Sequence, residues 1–181
     1  MELWDLYDKN RQKTGLTMRR GDPVPEGYYR AVVHISLFDS EGRMLIQRRV
    51  LDKDGWSGMW DVTVGGSVIA GETSSEAAER ELFEELGIRE DFSNLRPALS
   101  LSFSGGVGDM YIIKRDVPID SLVLQSTEVM DAKYATLDEI LAMLDADEFI
   151  PYHKSFIEFL FFLKDAKGAH TKPDKTKINP T

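Results

Sequence analysis

The 181-residue chain carries no cysteine, which excludes a disulfide framework, a thiolate zinc site and a cysteine nucleophile. Its net charge of −9 argues against non-specific nucleic-acid binding but leaves small anionic substrates open, because bound cations reverse the local field of carboxylates. An apolar content of 42% is ordinary for a globular domain, and no apolar run approaches the roughly 20 residues of a membrane span.

In chain order, residues 2–20 read as a strand pair around a polar turn at Asp8-Lys9-Asn10, with Trp4 and Tyr7 on the first arm. This acidic start lacks the basic flank and apolar run of a signal peptide, so a cytoplasmic location is expected by default. Gly21 to Gly27 is rich in breakers and is expected as a loop, completing an N-terminal extension to about residue 30. Residues 31–38 and 44–50 are apolar runs joined by Asp39-Ser40-Glu41-Gly42, a predicted hairpin. Within it, His34 is expected as a hydrogen-bonded interior or sheet residue, while Arg48 and Arg49 alternate to opposite faces. Residues 60–64 form the strand that delivers Gly65-Gly66 to a following helix. Trp56 and Trp60 read as core anchors beside that glycine loop, with Trp60 close enough in sequence to touch a substrate.

Thr73 and Glu76 have capping-box spacing and Gly87 supplies a stop, which predicts a helix over 74–86. At about 100° per residue, Glu81, Glu84 and Glu85 fall within one arc beside the apolar stripe Ala78, Leu82 and Leu86. Carboxylates this close repel one another. Either the face is simply solvated, or a hard divalent cation such as magnesium or manganese resolves the conflict through oxygen ligands.

Beyond the helix, residues 91–95 read as a polar connection. Strands at 98–103 and 110–115 flank Gly105-Gly106-Val107-Gly108, which is either a plain hairpin turn or a mobile lid. A short strand at 129–134 precedes a capped helix from Thr136 to about residue 144, and a last helix spans about 152–164. Residues 168–181 are expected as a loosely held tail, leaving 1–167 as a single domain. The pattern predicts an α/β/α sandwich around a mixed sheet.

The spacing Gly66, five residues, Glu72, seven residues, Arg80-Glu81-Leu82, one residue, Glu84-Glu85, one residue, Gly87-Ile88 resembles a complete Nudix box. Seven identities with two apolar positions coincide by chance in about one chain in ten million. From Trp4 to about Lys164, the segments WDLYDKNRQKTG, LFDSEGRMLIQRR, GWSGMWD and TEVMDAKYATLDEI extend the resemblance to the branch related to isopentenyl diphosphate isomerase.

The resemblance implies a Nudix-type α/β fold. It also implies a magnesium-dependent (or manganese-dependent) pyrophosphohydrolase acting on a nucleoside di- or triphosphate or a related small diphosphate. Gly65 (through its carbonyl), Glu81, Glu84, Glu85 and Glu128 would hold the metal, and Glu81, Glu128 or Glu85 would activate water. Glu72 and Arg80 would orient loop and helix. Arg49 and Lys53 match the branch's diphosphate-contacting region, with Gly66 and Trp60 as further substrate contacts. Isomerases of the branch protonate an alkene with a cysteine near the glycine loop and use a histidine-rich metal site. This chain has no cysteine, and Arg30 stands where one of the histidines is expected, so hydrolysis is the expected reaction. A non-catalytic nucleotide sensor would have no need of water-activating glutamates. A monomer or homodimer without a membrane partner is expected.

Overall fold

The computed structural model describes residues 2–53, 55–166, 168, 170 and 171. Strands β1 (Leu3–Tyr7) and β2 (Lys13–Arg19) form the expected antiparallel pair. Asp8 makes the turn: its Oδ1 accepts from the N–H groups of Asn10 (2.8 Å) and Gln12 (2.9 Å). Trp4, Leu6 and Met18 point inward and pack on Val24, Tyr28 and Ile69. Three of the bonds that tie the hairpin down go to residues 70–72. Ala70 N–H donates to the Leu3 carbonyl (2.8 Å), Gly71 N–H to the Asp5 carboxylate (2.9 Å), and Lys13 to the Glu72 carbonyl (2.7 Å).

A seven-stranded mixed sheet comprises β3 (Arg30–Phe38), β4 (Met44–Arg49), β5 (Trp60–Asp61), β6 (Val64–Ser67), β7 (Leu99–Phe103), β8 (Gly106–Lys114) and β9 (Val129–Ala135). The order is β5-β4-β3-β8-β7, with β6 paired to β3 and β9 to β4; β3 and β8 run parallel. The β3–β4 hairpin forms as predicted, but its strands pair only at Phe38 and Met44 and then diverge. The β5–β6 segment fills the opening. Thr63 holds its middle, accepting from Leu37 N–H (2.8 Å) and donating to the Leu45 carbonyl (2.5 Å). The expected single strand at 60–64 is therefore two short ones, because the segment must change partner from β4 to β3. Gly65 and Gly66 lie within β6, opposite His34 and Val33, and not in a loop.

Helix α1 (Ser74–Leu86) starts and stops where the sequence places it: the Thr73–Glu76 capping box is formed and Gly87 is left-handed at φ 72°. Ala78, Leu82 and Leu86 bury against Val33, Ile35 and Leu37 on one face of the sheet. Helices α2 (Leu137–Asp145) and α3 (Lys154–Leu163) cover the other face through Ile140 and Ile157, against Phe38 and Ile46. This is the three-layer α/β arrangement that the pattern predicts. Phe92, assigned above to a polar connection, is fully buried, edge-on to Tyr111 at 5.2 Å. Gly106 and Gly108 belong to β8, so only a tight turn separates β7 from β8, as in the plain-hairpin reading. The expected tail falls almost wholly outside the described residues. Among those residues no helix is long and apolar enough to cross a membrane.

Candidate active site

The apolar stripe of α1 fixes where its acids go. Glu85 is buried and Glu81 nearly so, whereas the Glu84 side chain is 47% exposed. Glu81 lies against the backbone of β6. A Cβ added at Gly66 would sit 2.1 Å from the Glu81 carboxyl carbon, so only glycine permits that approach. Gly65 is confined less tightly on the opposite face, where a Cβ would meet the His34 ring at 3.2 Å.

Arg80 joins the loop to the helix. Its Nε and Nη2 donate to the two Glu72 oxygens at 2.7 and 3.0 Å, a bidentate pair, and Nη2 also reaches the Ser67 carbonyl (2.9 Å). Glu72 in turn accepts from Ile69 N–H at 3.2 Å. The remaining nitrogen, Nη1, contacts Glu81 at 2.8 Å and Glu84 at 3.2 Å. The predicted arc of three acids is divided. Two face the sheet, and Glu84, farthest of the three from the apolar stripe, points outward and pairs with Arg80. Among the described residues no three His, Asp or Glu side chains converge on a point that could hold a metal ion.

The chemistry of the donor set nevertheless fits a hard divalent cation. Burial pushes the Glu85 carboxyl up to about 8, opposed by the Gln47 hydrogen bond and reinforced by Glu81. Burial also raises Glu81, despite Arg80 beside it. Two buried carboxylates that resist ionisation, with oxygen as the only donor type and a glycine approach next to one of them, are relieved by a cation between them. The acids that could supply its oxygens are Glu81 and Glu85, with Glu84 able to join only by turning inward from Arg80 and with Glu128 nearby.

Strand alternation sets the opposite wall. Arg49 shares the α1 face with Gln47, whose Nε2 donates to Glu85 Oε2 at 2.7 Å. Arg49 Nε donates to the Gly55 carbonyl at 3.3 Å. Lys53 forms an ion pair with Glu128, and its ammonium feels both Glu85 and Glu81; burial, then Arg49, lowers its pKa. Glu128 is placed by a turn over the end of α1, where Gln125 N–H donates to the Glu85 carbonyl (3.0 Å) and Val50 N–H to the Glu128 carbonyl (3.1 Å). Thus Glu81, Glu85, Gly66, Lys53, Arg49 and Glu128 share one neighbourhood.

Other expectations are met in part. Trp60 is buried on the far face under Lys133 (4.6 Å to the ring centroid) and Arg48, which bears out its reading as a core anchor. Trp56 is no core anchor: it is 53% exposed, at φ 53°. His34 lies in β3, as a sheet residue, and its buried Nδ1 has no hydrogen-bond partner among the described residues. Sequence reasoning missed Gln47, although its two-residue spacing from Arg49 on one strand was a usable signal. It also missed buried Asp61, which accepts from Tyr152 Oη (2.9 Å) and Val62 N–H (2.7 Å) across a long sequence separation with no local signal.

Comparison with known proteins agrees with this arrangement. The NUDIX domain profile matches residues 27–174. An uncharacterised Nudix hydrolase of Listeria monocytogenes is 44% identical over 170 residues, covering 94% of this chain and 99% of that protein. An isopentenyl-diphosphate Delta-isomerase of Pectobacterium atrosepticum is 28% identical, covering 75% of this chain and 76% of the isomerase. A crystal structure from Deinococcus radiodurans superposes with a TM-score of 0.71 at 27% identity, covering 88% of this chain and 97% of that one. With a complete signature laid on this fold, and with an isopentenyl-diphosphate isomerase among the proteins it resembles, the chain belongs to the Nudix hydrolase family.

Proposed function

We propose that the protein is a magnesium- or manganese-dependent pyrophosphohydrolase acting on nucleoside di- or triphosphates or related small diphosphates. The observation that carries this reading is the pairing of Glu81, seated on the Gly66 backbone, with Glu85, held by Gln47 and facing Lys53. A bound divalent cation would neutralise the diphosphate and lower the pKa of a coordinated water. The protein's own groups do the rest. Glu81, Glu84 and Glu85 hold the charge in place, while Arg80 and Glu72 fix the helix against the loop. Arg49 offers a guanidinium fork and Lys53 a point charge to the phosphate oxygens. Glu128, released from Lys53 when phosphate takes its place, is positioned to accept a proton from water, as are Glu81 and Glu85.

The test is a phosphate-release screen against nucleotides and dinucleotides with magnesium or manganese. Turnover that vanishes in Glu84→Gln and Glu85→Gln, with the fold intact by circular dichroism, supports the reading. Full activity in both variants contradicts it. An isomerase reading finds no support in the residues, since Arg30 and an absence of cysteine replace the groups such chemistry uses.

A further inference from the structure

Arg30 opens β3 on the face turned away from α1, since its neighbour Ala31 packs toward the helix. Its guanidinium lies 4.8 Å from the centroid of Trp4 and 5.5 Å from that of Phe103. Both rings are held in place. Trp4 Nε1 donates to Glu2 at 2.7 Å, and Phe103 lies over Gly106, where a Cβ would come within 2.3 Å of its ring.

What the guanidinium lacks is a carboxylate. Arg11, Arg20, Arg43, Arg80 and Arg115 each pair with Asp or Glu, whereas Arg30, half-buried, has no such partner among the described residues. Burial and the nearby Arg20 both work against its charge. Two aromatic faces offset only part of that cost, and they leave the N–H edge of the guanidinium available. On the same face of β3, the buried Nδ1 of His34 also lacks a partner.

Arg30 is three residues from Val33, the partner of Gly66, hence ~10 Å along the strand from the candidate diphosphate site. Glu2, bonded to Trp4, is close enough to Arg80 and Glu81 to be felt by both. The subsite therefore lies round the start of β3 from the carboxylate cluster, on the other face of the strand, with the Glu2–Trp4 pair reaching toward both. One wall, Trp4, lies outside the span matched by the family profile.

We propose that Arg30, clamped between Trp4 and Phe103, is a specificity residue that binds a second phosphate carried by the substrate remote from the diphosphate under attack. With a second guanidinium nearby, a dianionic phosphate matches this site better than a carboxylate does. The inference rests on the pyrophosphohydrolase reading only for the position of the diphosphate.

The experiment compares kcat/KM for substrate pairs differing by one phosphate: NADPH against NADH, and coenzyme A against 3′-dephospho-coenzyme A. The phosphorylated member of at least one pair should be preferred roughly 10- to 100-fold. Arg30→Met should bring that ratio close to one, and Arg30→Lys should restore part of it. No preference in either pair, or a preference that survives Arg30→Met, overturns the proposal. Thermal shifts with adenosine 3′,5′-bisphosphate against adenosine 5′-monophosphate read the same site without turnover. A larger shift with the bisphosphate that disappears in Arg30→Met supports the subsite even if no diphosphate is cleaved, in which case only the hydrolase reading fails. Equal shifts in the wild type count against the subsite.

Discussion

Gln47 on β4 and Glu85 on α1 are joined across the layers by a buried hydrogen bond of 2.7 Å, amide donor to carboxylate acceptor. The bond holds the most deeply buried acid of the signature from outside the signature. The other amide atom, Gln47 Oε1, is buried with no partner among the described residues, so Gln47 can also accept from a water at this point. Replacing such an outer partner of a metal-binding group commonly costs about 10- to 100-fold. Gln47→Leu should therefore lower kcat by that order and raise the magnesium concentration needed for half activity. Magnesium titrations of rate and of melting temperature check both effects.

Gly66→Ala tests the close approach of Glu81. The added methyl would overlap the carboxylate at 2.1 Å, and the carboxylate must swing away from β6. A displacement of about 1 Å in a catalytic group can cost ~100-fold, so activity should fall by at least that order. Melting temperature should move little, because the carboxylate is the end of a flexible chain. Steady-state kinetics beside a melt separate the two.

Thr63→Val removes the hydroxyl that serves β3 and β4 together and leaves a buried N–H and a buried carbonyl unpaired. At ~1–3 kcal/mol for each orphaned group, the loss is about 2–6 kcal/mol, or roughly 4–24 °C in Tm. Thr63→Ser keeps the hydroxyl and should recover most of it. Urea or thermal denaturation decides.

Asp61 gives a pH signature. Burial raises its pKa above the reference 3.8, with His34 and Tyr152 opposing. A carboxyl whose folded pKa is raised favours the folded state below the unfolded value, and that advantage is lost as pH climbs from 3.8 through the folded pKa. Asp61→Asn keeps an oxygen for Tyr152 and Val62 but cannot ionise. Its Tm should exceed that of the wild type near neutrality, and the gap should close as the pH approaches 4. Melts across pH 4–8 read the difference.

What was legible in the sequence was local. The α1 boundaries follow from a capping box, a terminal glycine and an apolar stripe, all within 15 residues, and the structure reproduces them. The division of the acids was legible too, since at about 100° per residue Glu84 falls farthest of the three from the Ala78, Leu82 and Leu86 stripe, whereas the pairing of Arg80 with Glu72 and the Ser67 carbonyl needed the folded loop. Trp56 and Trp60 look alike in sequence. Left-handed backbone at Gly55, Trp56 and Gly58 turns one outward, while strand pairing with Arg48 buries the other. Thr63 gave no signal, since its partners Leu37 and Leu45 come from strands whose divergence only the folded chain defines.

The docking of β1 and β2 on residues 69–72 bears on how this protein should be shortened. Cutting back to 27–174, the span shared with the family, would strip the apolar cover from Ile69 and take away the bonds to Ala70, Gly71 and the Glu72 carbonyl. The trimmed protein could keep every signature residue and still let the stretch that carries Glu72 wander, so a silent truncate would say nothing about the signature itself.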